Sequence, residues 1–241
     1  MKKTGLFTLL LTIISLSTYA QITVIPKIGI SASRFNTSEI VDQNNSSNSI
    51  KINAVSGFTI GAGVQLPITK NGRFSVQPEL LFIQKGFETD GSEDGDKFTN
   101  TQTHNYLELP LLARVNFGKN KIRSFVILGP SASYMLGGKY KSEIEGFDSF
   151  EGKIRFGEEP SNYSGDDLYY ADGEARRFDI GLQVGGGVGM NVGPGLLQLE
   201  ARYGFGFVEF LDDAQVAVEN LNTQNRTFTL SLGYAIPLGG K

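Results

Sequence analysis

The chain has 241 residues, with 22 basic and 25 acidic side chains and a formal net charge of −3. It has no cysteine and a single histidine, which excludes disulfides, thiolate chemistry, cysteine zinc sites and histidine-rich metal centres. The acidic balance and the absence of any basic run argue against nucleic acid as a partner.

The N-terminus reads as a secretory leader. Lys2 and Lys3 precede an apolar stretch from Leu6 to Leu16, and Thr18 and Ala20 supply the small residues of a Sec-type cleavage point before Gln21. Residues 1–20 are expected to be removed and residues 21–241 to form one domain. Without Lys2 and Lys3 the mature chain carries 20 basic against 25 acidic side chains. No lipobox cysteine follows the cut, and no later segment approaches the ~18 uninterrupted apolar residues of a membrane helix. A membrane role must then come from strands.

Eight strands are expected, over residues 22–34, 55–68, 73–87, 105–117, 124–136, 178–192, 197–207 and 226–238. Most show strict alternation, which puts one residue type on each face of a strand. In the sixth, Phe178, Ile180, Leu182, Val184, Val188, Met190 and Val192 alternate with Asp179, Gly181, Gln183, Gly185, Gly187, Gly189 and Asn191. The turn Gly193-Pro194-Gly195 joins it to the seventh, where Leu197, Leu199, Ala201, Tyr203, Phe205 and Phe207 alternate with Gln198, Glu200, Arg202, Gly204 and Gly206. These arms exceed an ordinary globular strand but suit a tilted strand crossing a membrane. The parity of residues 124–136 is ambiguous, because apolar side chains fall on both faces.

The connections sort into two kinds. Those after strands two, four and six are short: residues 69–72, 118–123 and 193–195. Those after strands one, three, five and seven are long and polar: residues 35–54, 88–104, 137–177 and 211–225. In an up-and-down barrel this puts every short turn at one end and every long loop at the other, as in outer-membrane barrels. The rival is a soluble eight-stranded barrel, whose polar face would meet water. Glycine would weaken such a face for no gain. In a narrow lumen the same glycines make room for Arg202, Arg114 and Tyr106. The expected fold is therefore an all-β, eight-stranded antiparallel up-and-down transmembrane β-barrel.

The segments Lys27-Ile28-Gly29, Phe74-Ser75-Val76-Gln77-Pro78-Glu79-Leu80, Tyr106-Leu107-Glu108-Leu109-Pro110-Leu111-Leu112 and Leu128-Gly129-Pro130-Ser131, with the glycine-rich sixth strand, carry a resemblance. The chain resembles the PorT-like outer-membrane β-barrel family of Bacteroidetes, small barrels of the OmpX type. The resemblance spans the mature chain and implies a fold and an outer-membrane location in a Gram-negative bacterium; it implies no chemistry. In one departure from outer-membrane barrels generally, the sequence ends Pro237-Leu238-Gly239-Gly240-Lys241, without a terminal aromatic.

Glu79, Lys85, Glu108, Arg114, Asp179, Glu200 and Arg202 fall on the non-lipid parity. Charges in a narrow lumen tend to pair, so a salt-bridged plug is expected in preference to a conduit, with Arg114 and Arg202 facing acids such as Glu79, Glu108 or Glu200. Asp90, Glu93, Asp94 and Asp96 form an acidic loop cluster, a candidate cation site that reads more simply as a solvated tip. His104 is expected as a rim residue in water; a rim hydrolase or acyltransferase using it is the enzymatic alternative, and a narrow pore is another. Tyr106, Tyr134, Tyr203, Phe205, Phe207 and Tyr234 read as an interfacial girdle. The aromatics of residues 137–177 suggest a partly ordered segment that contacts a protein or glycan. No cofactor, resident metal or catalytic residue is expected. The expected protein is a non-enzymatic monomer in outer-membrane lipid, with its long loops binding a partner or its body supporting envelope or secretion assembly.

Overall fold

The computed structural model describes residues 22–37, 39–41, 49–93, 96–118, 121–158, 165–171, 175–210 and 223–238. The leader segment lies outside the described residues. The strands are β1 (Ile22–Phe35), β2 (Glu39–Val41), β3 (Ser49–Pro67), β4 (Phe74–Glu93), β5 (Asp96–Phe117), β6 (Ile122–Ile144), β7 (Phe150–Phe156), β8 (Leu168–Tyr170), β9 (Phe178–Val192), β10 (Gly195–Glu209) and β11 (Gln224–Leu238). Eight of them, β1, β3, β4, β5, β6, β9, β10 and β11, pair with their chain neighbours, and β11 returns to β1 to close a barrel. All eight pairings are antiparallel. Closure leaves no unpaired edge, the condition for a sheet to cross lipid.

Alternation decides which face each residue takes. Ile28, Ile30, Leu109, Leu111, Val126, Leu128, Val188, Leu199, Leu230 and Leu232 point outward and are exposed. This apolar belt would be untenable in water but matches hydrocarbon. Tyr134, Phe178, Tyr203 and Phe207 lie outward beside it. Tyr106 departs from the expected girdle: it is 1% exposed and points into the lumen. The ambiguity of residues 124–136 is resolved with Phe125, Ile127 and Met135 inward and Val126, Leu128 and Tyr134 outward. Apolar inward residues fit here because β9 opposes them with glycine. Phe125 pairs with Gly187 and Ile127 with Gly185. A Cβ at Gly187 would lie 2.5 Å from Phe125 Cζ.

The short connections match the sequence reading, and Gly72 and Gly193 take positive φ within them. The long ones do not stay loops. The β4–β5 ladder continues to Glu93↔Asp96, and β5–β6 continues to Phe98↔Ile144. Residues 88–93 and 96–104, expected within a loop, are thus the paired arms of a ladder standing on the barrel. β7 pairs with β6, β8 joins β7 in parallel, and β2 pairs with the β3 extension. Outside lipid both strand faces are wet or packed on neighbours, so the apolar–polar alternation fades while the backbone ladder goes on.

The outward register gives a direct check. Leu109→Arg should cost about 2–4 kcal/mol near mid-bilayer, read by urea unfolding in lipid vesicles. The parent protein should migrate differently on detergent gels before and after boiling. A soluble, non-heat-modifiable product, or a Leu109→Arg variant as stable as the parent, would contradict the lipid-facing register.

Candidate functional site

The lumen is filled in layers. Glu79, Lys85, Glu108, Arg114, Asp179, Glu200 and Arg202 all face inward and are buried, and Lys27 joins them. In the middle layer, Arg202 donates to Glu79 Oε2 at 2.9 Å, to Glu200 Oε1 at 2.5 Å and to Gln183 Oε1 at 2.8 Å. Lys27 Nζ reaches the same two carboxylates, 2.7 Å from Glu79 and 3.1 Å from Glu200. Two acids and two cations thus form a closed quartet drawn from β1, β4 and β10. Lys27 was missed by the sequence reading, although its parity with Gly29, Ser31 and Ser33 marks it as inward. Nearer the long-loop end, Glu108 accepts from Lys85 at 2.5 Å, Gln183 at 2.6 Å and Ser133 at 3.0 Å. Asp179 accepts from the Val208 amide at 3.2 Å. The space left in this region is about 30 Å³, lined among others by Lys27, Lys85, Glu108, Asp179, Glu200 and Arg202. That holds about two waters.

Arg114 departs from expectation. Among the described residues it is in no ion pair. Its Nη1 donates to Gln77 Oε1 at 2.9 Å, its Nη2 to Gln198 Oε1 at 3.0 Å and its Nε to Asn116 Oδ1 at 2.8 Å. Its guanidinium lies 3.6 Å from the centre of the Phe125 ring, a cation–π stack. The amides Gln77, Gln183 and Gln198 carry as much of the network as the acids do. Parity placed them inward, but parity is silent on which polar groups meet.

His104 is not a rim residue in water. It is 0% exposed, its ring 4.6 Å from Phe210 and 5.9 Å from Phe87 between centroids. Its Nε2 lies 3.0 Å from Gln102 Oε1, and its Nδ1 has no partner among the described residues. Phe35, Ile52, Ile83, Tyr106, Met135, Ile154 and Phe210 pack with one another around this level, with Phe156 and Tyr170 against them. An aromatic plug thus caps the polar lumen.

Above the plug stands the extended sheet. Asp90 accepts from Asn53 Nδ2 at 2.6 Å and Thr99 Oγ1 at 2.7 Å. Asp96 sits at the exposed start of β5. Asp94 and the Glu93 side chain lie outside the described residues. Among the described residues no group of three or more acids and histidines is placed to hold a metal. β7 and β8 are tied by Arg155–Asp167 at 2.5 Å, and the Tyr140 hydroxyl donates to the Asp166 carbonyl. Partial burial, with Asp166 and Asp167 nearby, holds the Tyr140 phenol above its ordinary value. The aromatics of this segment divide. Phe156 and Tyr170 stack at 6.2 Å over the plug, and the Tyr170 hydroxyl donates to Gln102 at 3.2 Å. Phe147 and Phe150, at the β6–β7 tip, are 71% and 47% exposed. Tyr163 lies outside the described residues.

With this geometry the sequence matches the family described as outer membrane protein beta-barrel domain over residues 19–212. No curated protein sequence matches. Similar solved structures include OprG of Pseudomonas aeruginosa, 10% identical, covering 92% of this chain and 99% of that one at a TM-score of 0.46. The attachment invasion locus protein Ail of Yersinia pestis, solved with the heparin analogue sucrose octasulfate, is 16% identical and covers 90% and 99% at 0.37. The outer membrane protease OmpT of Escherichia coli is 10% identical and covers 92% and 98% at 0.36.

The quartet should behave as a unit. Arg202→Leu leaves Glu79 and Glu200 sharing one cation, Lys27, and should cost about 3–5 kcal/mol, measured by urea unfolding in vesicles. Arg114→Met, which strands amides and no carboxylate, should cost less. Equal losses for the two would show that the carboxylate contacts are not what sets the penalty.

Proposed function

Because the chain belongs to the outer membrane protein β-barrel domain family and lies in a Gram-negative outer membrane, we propose that it is a closed, non-enzymatic barrel whose extracellular sheet holds an aromatic tip out to a partner. The observation that carries this reading is the division of the β6–β7–β8 aromatics. Phe156 and Tyr170 fasten the base of the arm to the aromatic plug, and Phe147 and Phe150 stand exposed at its end. A rigid arm with exposed aromatic rings suits contact with a protein or glycan, since aromatic anchors add contact area at low entropic cost. Loops on a rigid scaffold are where binding concentrates.

The filled lumen supports a scaffold over a pore. An eight-stranded barrel is just wide enough for side chains, and here they meet across it. The burial of His104 among Phe87, Tyr106 and Phe210 weighs against the rim-enzyme alternative, because a general base must reach its substrate. The finer placement we propose is the PorT-like branch of Bacteroidetes barrels, with a role supporting envelope or secretion assembly. It rests on the segments around Lys27, Glu79, Glu108 and Pro130 and on the leader ahead of Gln21.

Phe147→Ser with Phe150→Ser should leave the barrel inserted and heat-modifiable while failing to complement a deletion strain. Full complementation would remove the tip as the functional surface. In planar bilayers the protein should show no discrete conductance steps; stable steps would overturn the closed-barrel reading.

A further inference from the structure

The short-turn end of the barrel has a different character from the rest of the lumen. It opens into a vestibule of about 1210 Å³, whose described lining includes Lys70, Arg73, Arg114 and Arg123 and no acid. Outer-membrane barrels turn this end to the periplasm. Arg114 on β5 and Arg123 on β6 share the lumen-facing parity; Arg73 lies just ahead of β4, its guanidinium 6.0 Å from the ring centre of Phe117 at the mouth. Arg73 lies two residues before the inward Ser75, Arg123 two before the inward Phe125. Register sets their depths. The Asn116 amide donates to the Arg73 carbonyl at 2.8 Å, and Asn116 pairs with Phe125. Arg114 is thus one inward step deeper than Arg73, and Arg123 one step shallower. The three positions thus step from the open mouth to the floor.

The floor is the informative part. Among the described residues the buried lumen holds four cations (Lys27, Lys85, Arg114, Arg202) and four acids (Glu79, Glu108, Asp179, Glu200). Three of the cations contact carboxylates. Arg114 alone does not, although it is 2% exposed. Glu79 and Glu200 are held in the layer above by Lys27 and Arg202. Three of the five N–H groups of Arg114 donate to Asn116, Gln77 and Gln198, and two have no acceptor among the described residues. Beside it, Gln198 Nε2 is a buried donor without a partner among the described residues. None of Lys70, Arg73, Arg114 and Arg123 is in an ion pair among the described residues.

We propose that this vestibule is an anion-binding site that takes a phosphate or carboxylate group from the periplasmic side, with Arg114 as its floor and Arg73 and Arg123 as its rim. The guanidinium fork matches the spacing of oxygens on such groups. An open recess lined by charges of one sign also concentrates counter-ions. The binding group is carried by a free solute or by the headgroup of an inner-leaflet phospholipid, and the test separates the two.

The full barrel in neutral detergent is titrated with inorganic pyrophosphate by calorimetry at constant ionic strength, against chloride. Saturable binding is expected. Arg73→Gln with Arg123→Gln, both exposed positions, should weaken it on the order of tenfold or more while heat-modifiability is unchanged. Arg114→Gln should weaken it as well, with Arg114→Lys recovering part of the affinity. Repeating the titration in phosphatidylcholine vesicles with and without phosphatidylglycerol assigns the source. Loss of pyrophosphate binding when the anionic lipid is present points to a headgroup, and unchanged binding to a free solute. Pyrophosphate that binds no better than chloride, or equally well to the double variant, overturns the proposal.

Discussion

The constraint on which the structure depends is closure of a narrow hydrogen-bonded ring in lipid. Once β11 pairs with β1, every strand edge is satisfied, and the ring of eight leaves a lumen only a few side chains across. Two demands follow. Whatever points outward must be apolar, and whatever polar group points inward must find partners inside. The quartet of Lys27, Glu79, Glu200 and Arg202 meets the second demand by letting each acid serve two cations. Such a network is weak evidence for extra stability, since desolvating four charges offsets much of their attraction. Its firmer consequence is that no member can be lost without leaving the buried cluster one charge out of balance.

The lumen is also graded along its axis. Toward the long loops it ends in an aromatic plug in which His104 is a packed ring. Toward the short turns it ends in a stacked but carboxylate-free arginine. Glycine makes the gradation possible: Gly187 leaves the space that Phe125 fills, and Phe125 in turn supports the Arg114 guanidinium. The same residue type that would weaken a globular strand is here a spacer for large inward neighbours.

The plug joins the two halves of the molecule. Its residues come from the barrel wall, as Ile83, Tyr106 and Met135 do, and from the outer segment, as Ile154 does. The outer sheet is therefore continuous with the barrel in both backbone ladder and side-chain packing, which gives an exposed tip at residues 144–150 a stiff mount. A surface presented this way meets a partner with little ordering to do on binding.

The sequence by itself determined the number of barrel strands, the face each residue takes on most of them, the two ends of the barrel and the apolar belt. These follow from alternation and turn spacing, which are local. It also placed Glu79, Glu108, Glu200 and Arg202 inside. Only the tertiary structure decided who meets whom. Lys27 enters the quartet and Arg114 is left with amides because the stagger between strands sets which inward residues share a level, and no local pattern encodes stagger. Likewise His104 reads as a polar loop residue beside Thr103 and Asn105, yet it is packed because Phe210, Phe87 and Tyr106 arrive around it. The strands run past the membrane into apparent loops for the same reason: outside lipid the alternation disappears, and what continues the ladder is a neighbouring backbone that the sequence alone does not show.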